Sequence, residues 1–220
     1  MAGFTCEEII QATRGILLSE GPERIFTGVS TDTRQIKAGE LFIPLVGEKY
    51  DGHDFIYQSL KNFSSGIVIS RKDIKVREGV TIFSVKDTLK ALQDLARFHR
   101  LRFSIPVIAI TGSNGKTTTK DMTAAILASR FHVLKTQGNF NNEVGLPLTL
   151  LQLDDSHDAA VVEMGMRGLG QIKELADIAM PTIAVVTNVS ETHIELLGTL
   201  ENIATAKGEL VEAISQDGVV

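Results

Sequence analysis

One stretch constrains this chain more than any other. Ile105 to Ile110 is a short apolar run, Thr111-Gly112-Ser113-Asn114-Gly115 is a glycine-containing turn, and Lys116-Thr117-Thr118-Thr119 opens a helix-compatible segment. A strand that delivers its backbone to such a turn, and then to a helix N-terminus, builds an anion site, because the glycines let main-chain N–H groups crowd around a phosphate. Lys116 is then placed for the β- and γ-phosphates of a nucleotide, and the Thr117 hydroxyl for Mg2+. Thr111, Gly112, Ser113, Asn114, Gly115, Lys116, Thr117 and Thr118 are the residues expected to hold the nucleotide. A strand-turn-helix with incidental glycines is the plain alternative, but it leaves Lys-Thr directly after the second glycine unexplained. The loop is also short. Ile110 stands where the first glycine of the usual pattern falls, so the chain reads Gly-x-x-Gly-Lys-Thr instead of Gly-x-x-x-x-Gly-Lys-Thr.

Downstream of the loop, strand-like and helix-like segments alternate. Helix is expected from Lys116 to about Ser129, strand near 132–135, helix from about Val144, strand over 159–162, helix over 171–176, strand over 183–186 and helix over 200–214. Such alternation predicts a mainly parallel sheet with helices on both faces, whose ligands gather at the carboxyl ends of the strands. The polar candidates fall at those ends. Glu163 closes an apolar strand, where an acid can ligate Mg2+ or orient water beside a nucleotide, although a carboxylate capping a nearby helix has the same signature. His193 lies just past another strand, as a metal-ligating or phosphate-facing imidazole or as a loop-stabilising one. Asn139, Asn141 and Asn142 could hold a polar substrate without adding charge, with local turns and caps as the competing explanation.

The region before the loop has a different texture. Thr5-Cys6-Glu7-Glu8 has capping-box spacing, and apolar residues at helical spacing predict a first helix that ends near Ser19. Strand-like runs then follow at 41–45, 66–70 and 81–85, and 87–101 reads as a helix with His99 at the edge of its apolar stripe, as a surface or packing residue. This predicts an α/β chain of two domains, a small α/β unit over 1–85 and a nucleotide-binding unit over 86–220. His132 and His157 match no motif and are expected at the surface.

Composition narrows the function class. A net charge of −5 argues against a general nucleic-acid surface, so an anionic ligand must be captured locally. No apolar run approaches the roughly 20 residues that span a bilayer, and the N-terminus lacks the pattern of a signal peptide, so no membrane insertion and a cytoplasmic location are expected. Cys6 is the only cysteine, which excludes an intrachain disulfide and a thiolate metal cluster.

The shortened loop resembles that of the ATP-dependent Mur ligases and the folylpolyglutamate synthetases. The likeness to Mur ligases extends over nearly the whole chain: Thr111 to Asp121, Gly138 to Leu151, Glu163-Met164-Gly165, Asn188 with His193 to Gly198, and Ala206-Lys207-Gly208-Glu209. In the first unit, Ser30-Thr31-Asp32-Thr33-Arg34, Gly39 to Leu45, Gly47 and Asp51 to Phe55 resemble the family's UDP-substrate domain. Ser190 and Thr192 depart from the Gly and Ala expected at those places.

The Asn-Phe-Asn-Asn and Ala-Lys-Gly-Glu contexts are similar to the branch that adds D-alanyl-D-alanine to UDP-MurNAc-tripeptide. The resemblance implies ATP and Mg2+ as cofactors, those two compounds as partners, and a monomer. It implies catalysis by Lys116, Glu163, His193 and Lys207, with Thr117, Glu163, His193 and a carbamylated Lys207 as metal ligands; a surface lysine is the plain alternative for Lys207. Ser30, Thr31, Asp32, Thr33, Arg34, Asp51, Gly52 and His53 would place the UDP-substrate, His53 having a turn-packing alternative. A family member would continue beyond Val220, so the chain is expected to be truncated at the C-terminus and inactive alone. A folylpolyglutamate-synthetase-like ligase and a non-catalytic nucleotide-dependent interaction module are the alternatives.

Overall fold

The computed structural model describes residues 3–61, 64–74, 79–192 and 194–220. The chain divides into two compact units, Met1–Phe98 and His99–Val220.

In the first unit, β1 (Phe4–Thr5) runs into α1 (Cys6–Thr13), and the capping box at their junction is formed, with Thr5 Oγ1 accepting from the Glu8 N–H and the Glu8 carboxylate accepting from the Thr5 N–H. The helix stops at Thr13, six residues earlier than its apolar spacing predicts. Arg14 takes a left-handed backbone (φ 55°) and the chain reverses at Gly15, where a Cβ would lie 2.9 Å from the Ser84 carbonyl oxygen. Residues 16–19 therefore form a strand, β2 (Ile16–Ser19). A short apolar run fits either period, and antiparallel pairing of Ile16 with Ser84 and Leu17 with Phe83 decides it.

After β3 (Ile25–Phe26), β4 (Gly28–Ser30), β5 (Glu40–Phe42), a 3-10 turn (Gly52–Phe55), α2 (Ile56–Lys61), β6 (Gly66–Ile69) and β7 (Thr81–Ser84), the unit ends in α3 (Thr88–Arg100). Its main sheet has the order β2-β7-β6-β5-β4, parallel except for β2, and β1 pairs with β3 in a separate ribbon. Ile36, Phe42, Ile56, Ile67, Ile69 and Ile82 form a core cluster.

The unit boundary falls inside α3, where the sequence placed it near Val85. The last two residues of the helix show why. His99 is buried with Nε2 2.9 Å from the Leu153 carbonyl oxygen, and the buried Arg100 guanidinium donates to the carbonyls of Ala179, Phe103 and Ile105, all in the second unit. Burial lowers the pKa of both side chains.

The second unit alternates as expected: β8 (Val107–Thr111), α4 (Lys116–Leu127), β9 (Val133–Lys135), α5 (Gly145–Leu150), β10 (Ala159–Glu163), α6 (Gln171–Ala179), β11 (Ile183–Val186), α7 (Ile194–Leu197) and α8 (Leu200–Glu212). The sheet is parallel in the order β11-β8-β10-β9. Every residue of β8 and β10 is buried, which is why these strands read as unbroken apolar runs without alternation. The chain leaves β8 toward β9 on one side and later returns to β11 on the other, so the carboxyl end of β8 is the switch point at which such sheets bind ligands. Among the described residues no helix is long and apolar enough to cross a membrane.

Candidate functional site

The carboxyl ends of β8 and β10 open into a cavity of about 280 Å³. Thr111, Gly112 and Lys116 line it from the loop, Asn139, Asn141, Asn142 and Glu143 from the segment before α5, Met164 to Arg167 from the turn after β10, and Gln171 and Lys207 from α6 and α8.

Gly115 precedes α4 in a left-handed conformation (φ 81°) with nothing within 4 Å of a Cβ position, and no side chain caps the helix. The first N–H groups of α4 thus receive no side-chain cap and have the positive end of the helix behind them, as an anion site requires. Gly112 is needed for another reason. Its φ of 145° is unfavourable to other residues, and a Cβ there would lie 1.9 Å from Thr187 Oγ1. Lys116 folds back over the loop, donating to the carbonyl oxygens of Gly112 at 2.7 Å and Ser113 at 3.3 Å.

Ser113 and Asn114 are tied to a neighbouring loop. The Ser113 N–H donates to the Asn188 carbonyl and its hydroxyl to the Ser190 carbonyl, while the hydroxyl accepts from the Ser190 N–H. The Asn114 N–H donates to Asn188 Oδ1, and its side chain donates to Ser190 Oγ. These bonds pin the loop to 187–190. Thr117 and Thr118 are exposed on the first turn of α4. His193 lies outside the described residues.

Glu163 is buried and already oriented. One carboxylate oxygen accepts from the Thr117 hydroxyl at 2.9 Å and the other from Asn141 Nδ2 at 2.7 Å, while its N–H donates to Thr136 Oγ1. Thr136 is in turn held by the buried Lys120, whose ammonium donates to the Thr136 carbonyl at 3.0 Å. The asparagine run faces the cavity and also shapes its own turn. All three side chains line the cavity, yet Asn142 also accepts from the Gly145 N–H at the start of α5.

Lys207 is 2 % exposed and has its pKa lowered to about 8, first by burial and then by the positive charge of Lys116. A surface lysine is thereby excluded. Near neutral pH a usable fraction of this amine is uncharged.

Thr111 Oγ1 donates to the Met164 carbonyl, tying β8 to the turn after β10. Among the described residues no three His, Cys, Asp or Glu side chains meet as a metal cluster. The donors at hand are hydroxyl and carboxylate oxygens, the chemistry that suits Mg2+ held by one or two protein ligands plus phosphates.

The first unit has a groove of its own, about 680 Å³, lined by Thr31 to Arg34, Phe42, Leu45, Tyr50, Gly52, Phe55 and Gln58. Arg34 and Asp32 form a two-pronged ion pair, with Nε and Nη2 2.9 Å and 2.7 Å from the carboxylate oxygens. That contact and the N–H of Arg34 hold the Asp32 carboxyl below its usual pKa. Ser30 braces the same turn by donating to the Asp32 carbonyl.

Asp51 and His53 do not line the groove. The imidazole of His53 is buried, with Nδ1 2.6 Å from Asp51 Oδ1 and Nε2 accepting from the Ser70 N–H, so the ring proton sits on Nδ1 and the ring ties the 3-10 turn to the end of β6. Arg71 neutralises Asp51 from the other side. Elsewhere, His132 and His157 stack with ring centroids 4.5 Å apart, His132 exposed and His157 half-buried.

Several contributors escaped the sequence reading. Tyr50 and Gln58 in the groove, and Arg167 and Gln171 in the cavity, belong to no motif. Lys120 had a readable signal: it follows Lys116 by four residues and so shares its helix face.

Comparison with known proteins agrees with this geometry. Residues 110–220 match the family described as "Mur ligase middle domain", and residues 25–100 match "Mur ligase family, catalytic domain". The UDP-N-acetylmuramoyl-tripeptide--D-alanyl-D-alanine ligase of Bacillus subtilis is 42% identical over 217 residues, covering 98% of this chain and 48% of the relative. Its counterpart in Synechocystis is 51% identical over 183 residues, 83% of this chain and 40% of the relative. A crystal structure of MurF from Acinetobacter baumannii superposes with a TM-score of 0.93 at 32% identity, covering 100% of this chain and 49% of that one. MurF ligase from Thermotoga maritima in complex with ADP gives 0.79 at 35% identity, covering 86% and 44%. The chain spans about half the length of these relatives.

Proposed function

The chain belongs to the Mur ligase family, and on that premise we propose that it carries the ATP site and the UDP-substrate groove of a ligase joining D-alanyl-D-alanine to UDP-MurNAc-tripeptide. The observation that carries the reading is the meeting of Lys207 with the phosphate loop. A buried lysine, its charge disfavoured, closes the same cavity as Lys116, ninety-one residues away in sequence, and a nucleotide-binding module without chemistry would have no use for it.

In the proposed reaction the terminal carboxylate of the tripeptide attacks the γ-phosphorus of ATP. A C–O–P bond forms, the bond to the β–γ bridging oxygen breaks, and ADP leaves. The D-alanyl-D-alanine amine then adds to the acyl carbon, the amide forms as phosphate departs, and the amine proton is released. Phosphoryl transfer asks mainly for alignment and charge neutralisation. The N–H groups at the start of α4 hold the phosphates, and Lys116 exchanges its loop carbonyls for phosphate oxygens. Thr117 and Glu163 are placed to hold Mg2+, with His193 assigned beside them by motif. When bound, that ion would supply neutralisation of the phosphate charge.

Lys207 is assigned a carbamate. Its neutral amine adds CO2 and loses a proton, which turns a cation that would repel a metal into an oxygen donor. Thr31, Asp32, Thr33, Arg34 and Gly52 would contact the UDP-substrate in the first unit, and Asn139, Asn141 and Asn142 its reacting end in the second. The reading also assigns a cytoplasmic monomer, in keeping with diffusible substrates.

The test is phosphate release by the whole protein. Release should require ATP, Mg2+, UDP-MurNAc-tripeptide and D-alanyl-D-alanine together, and folate with glutamate should not replace the last two. Activity with folate would install the other ligase class; ATP binding without any substrate-dependent turnover would leave an interaction module.

A further inference from the structure

We infer that Glu209 is a positioning residue of the ligase site, whose carboxylate locks the turn of α8 bearing Lys207 to the first turn of α6. The inference rests on the ligase reading above. Gly170 precedes α6 with a left-handed backbone (φ 84°) and has no side chain with which to cap the helix. Two N–H groups of that turn are satisfied from a distant part of the chain: Gly170 N donates to Glu209 Oε1 at 2.6 Å and Lys173 N to Glu209 Oε2 at 3.0 Å. A carboxylate at this place gains from both the charged hydrogen bonds and the positive helix end.

Lys207 stands two residues earlier on α8. At its N-terminal end the helix is tied by Asn202 Nδ2 donating to the Leu197 carbonyl, and along the turns that carry Lys207 it is seated by Ile203, Ala206 and Leu210, all fully buried. Apolar contacts of that kind have no preferred direction and tolerate a small slide or rotation. Two hydrogen bonds to one carboxylate do not, because each is lost when its angle opens. A rotation of α8 would carry the Lys207 amine with it, and the two N–H groups that the carboxylate holds flank Gln171, the first residue of α6, which lines the same cavity as Lys207. Glu209 is thus committed to backbone N–H groups. An acid so close to Lys207 would otherwise be read as a base or a metal ligand.

Two measurements test this. In the 220-residue chain, acylation of Lys207 by dilute acetic anhydride at pH 8 is followed by peptide mass analysis, with Lys116 as internal reference. The native protein should label slowly at Lys207, Glu209→Ala faster, and Glu209→Gln, which keeps one acceptor oxygen, in between, all below the melting temperature. In the whole ligase, Glu209→Ala should lower kcat about 10- to 100-fold, the range for residues that orient a metal ligand, with KM for ATP within about twofold of native. Unchanged labelling and unchanged kcat in both variants would overturn the inference. So would Glu209→Gln matching Glu209→Ala in every readout, since loss of charge rather than geometry would then be at work. Absence of any ligation by the native enzyme would sink the ligase reading instead, while the labelling comparison would still decide whether Glu209 positions Lys207.

Discussion

The cavity of the second unit and the groove of the first hold their polar groups in different ways. In the cavity, Glu163 and Lys207 are each 2 % exposed, and Glu163 is oriented by Thr117, Asn141 and, through Thr136, Lys120. In the groove, Arg34 is 80 % exposed in its side chain and, among the described residues, pairs with Asp32 alone, in a lining that includes Phe42, Leu45, Tyr50 and Phe55. Burial removes water that would screen a charge and take over its hydrogen bonds, so cavity residues must be held by one another. An exposed ion pair can open to water at little loss and re-form on a ligand. On the proposed reading, the cavity suits chemistry on charged atoms, and the groove suits exchange of its own contacts for those of a substrate.

Substitutions can break this contrast. The largest effect is expected from Lys116→Ala, which removes the cation facing the phosphates and should weaken an ATP analogue by about 100-fold or more, the usual result of deleting one preorganised charge-stabilising donor. Isothermal titration of the chain would measure it; native-like affinity would remove the loop from the mechanism.

Next comes Gly112→Ala, where backbone strain and the approach to Thr187 Oγ1 act together. A loss of roughly 1–3 kcal/mol in urea unfolding is expected for a residue forced into such a conformation. Pairing it with Thr187→Ala should restore only part of that loss, because the strain at φ 145° remains; full restoration would mean that the clash alone matters.

The smallest effect on the fold should come from Arg34→Ala. Its melting temperature and ATP-analogue affinity should match the native chain, whereas binding of a UDP-sugar should fall. A drop in melting temperature, or an unchanged UDP-sugar affinity, would show that the Asp32–Arg34 pair is part of the scaffold instead of a contact held for substrate.

Local chemistry made much of the molecule legible in advance. The strand, glycine turn and Lys-Thr of the phosphate loop, the parallel α/β alternation after it and the capping box at Thr5 are each written within a few neighbouring residues, and each stands where the sequence placed it. The first helix was misread beyond Thr13 because Ile16, Leu17 and Leu18 satisfy two periods equally, and only the strand that pairs with them breaks the tie.

Other features had no local signal at all. That Ser113 and Asn114 bond to 187–190, that His53 is buried against Asp51 and Ser70, and that Glu209 caps a helix 39 residues away all depend on contacts between distant segments. Lys207 joins both kinds of knowledge. Its motif could be read directly, but whether its amine carries a charge is set by what surrounds it, and burial beside Lys116, the cause of its lowered pKa, exists only once α8 has packed beside the phosphate loop.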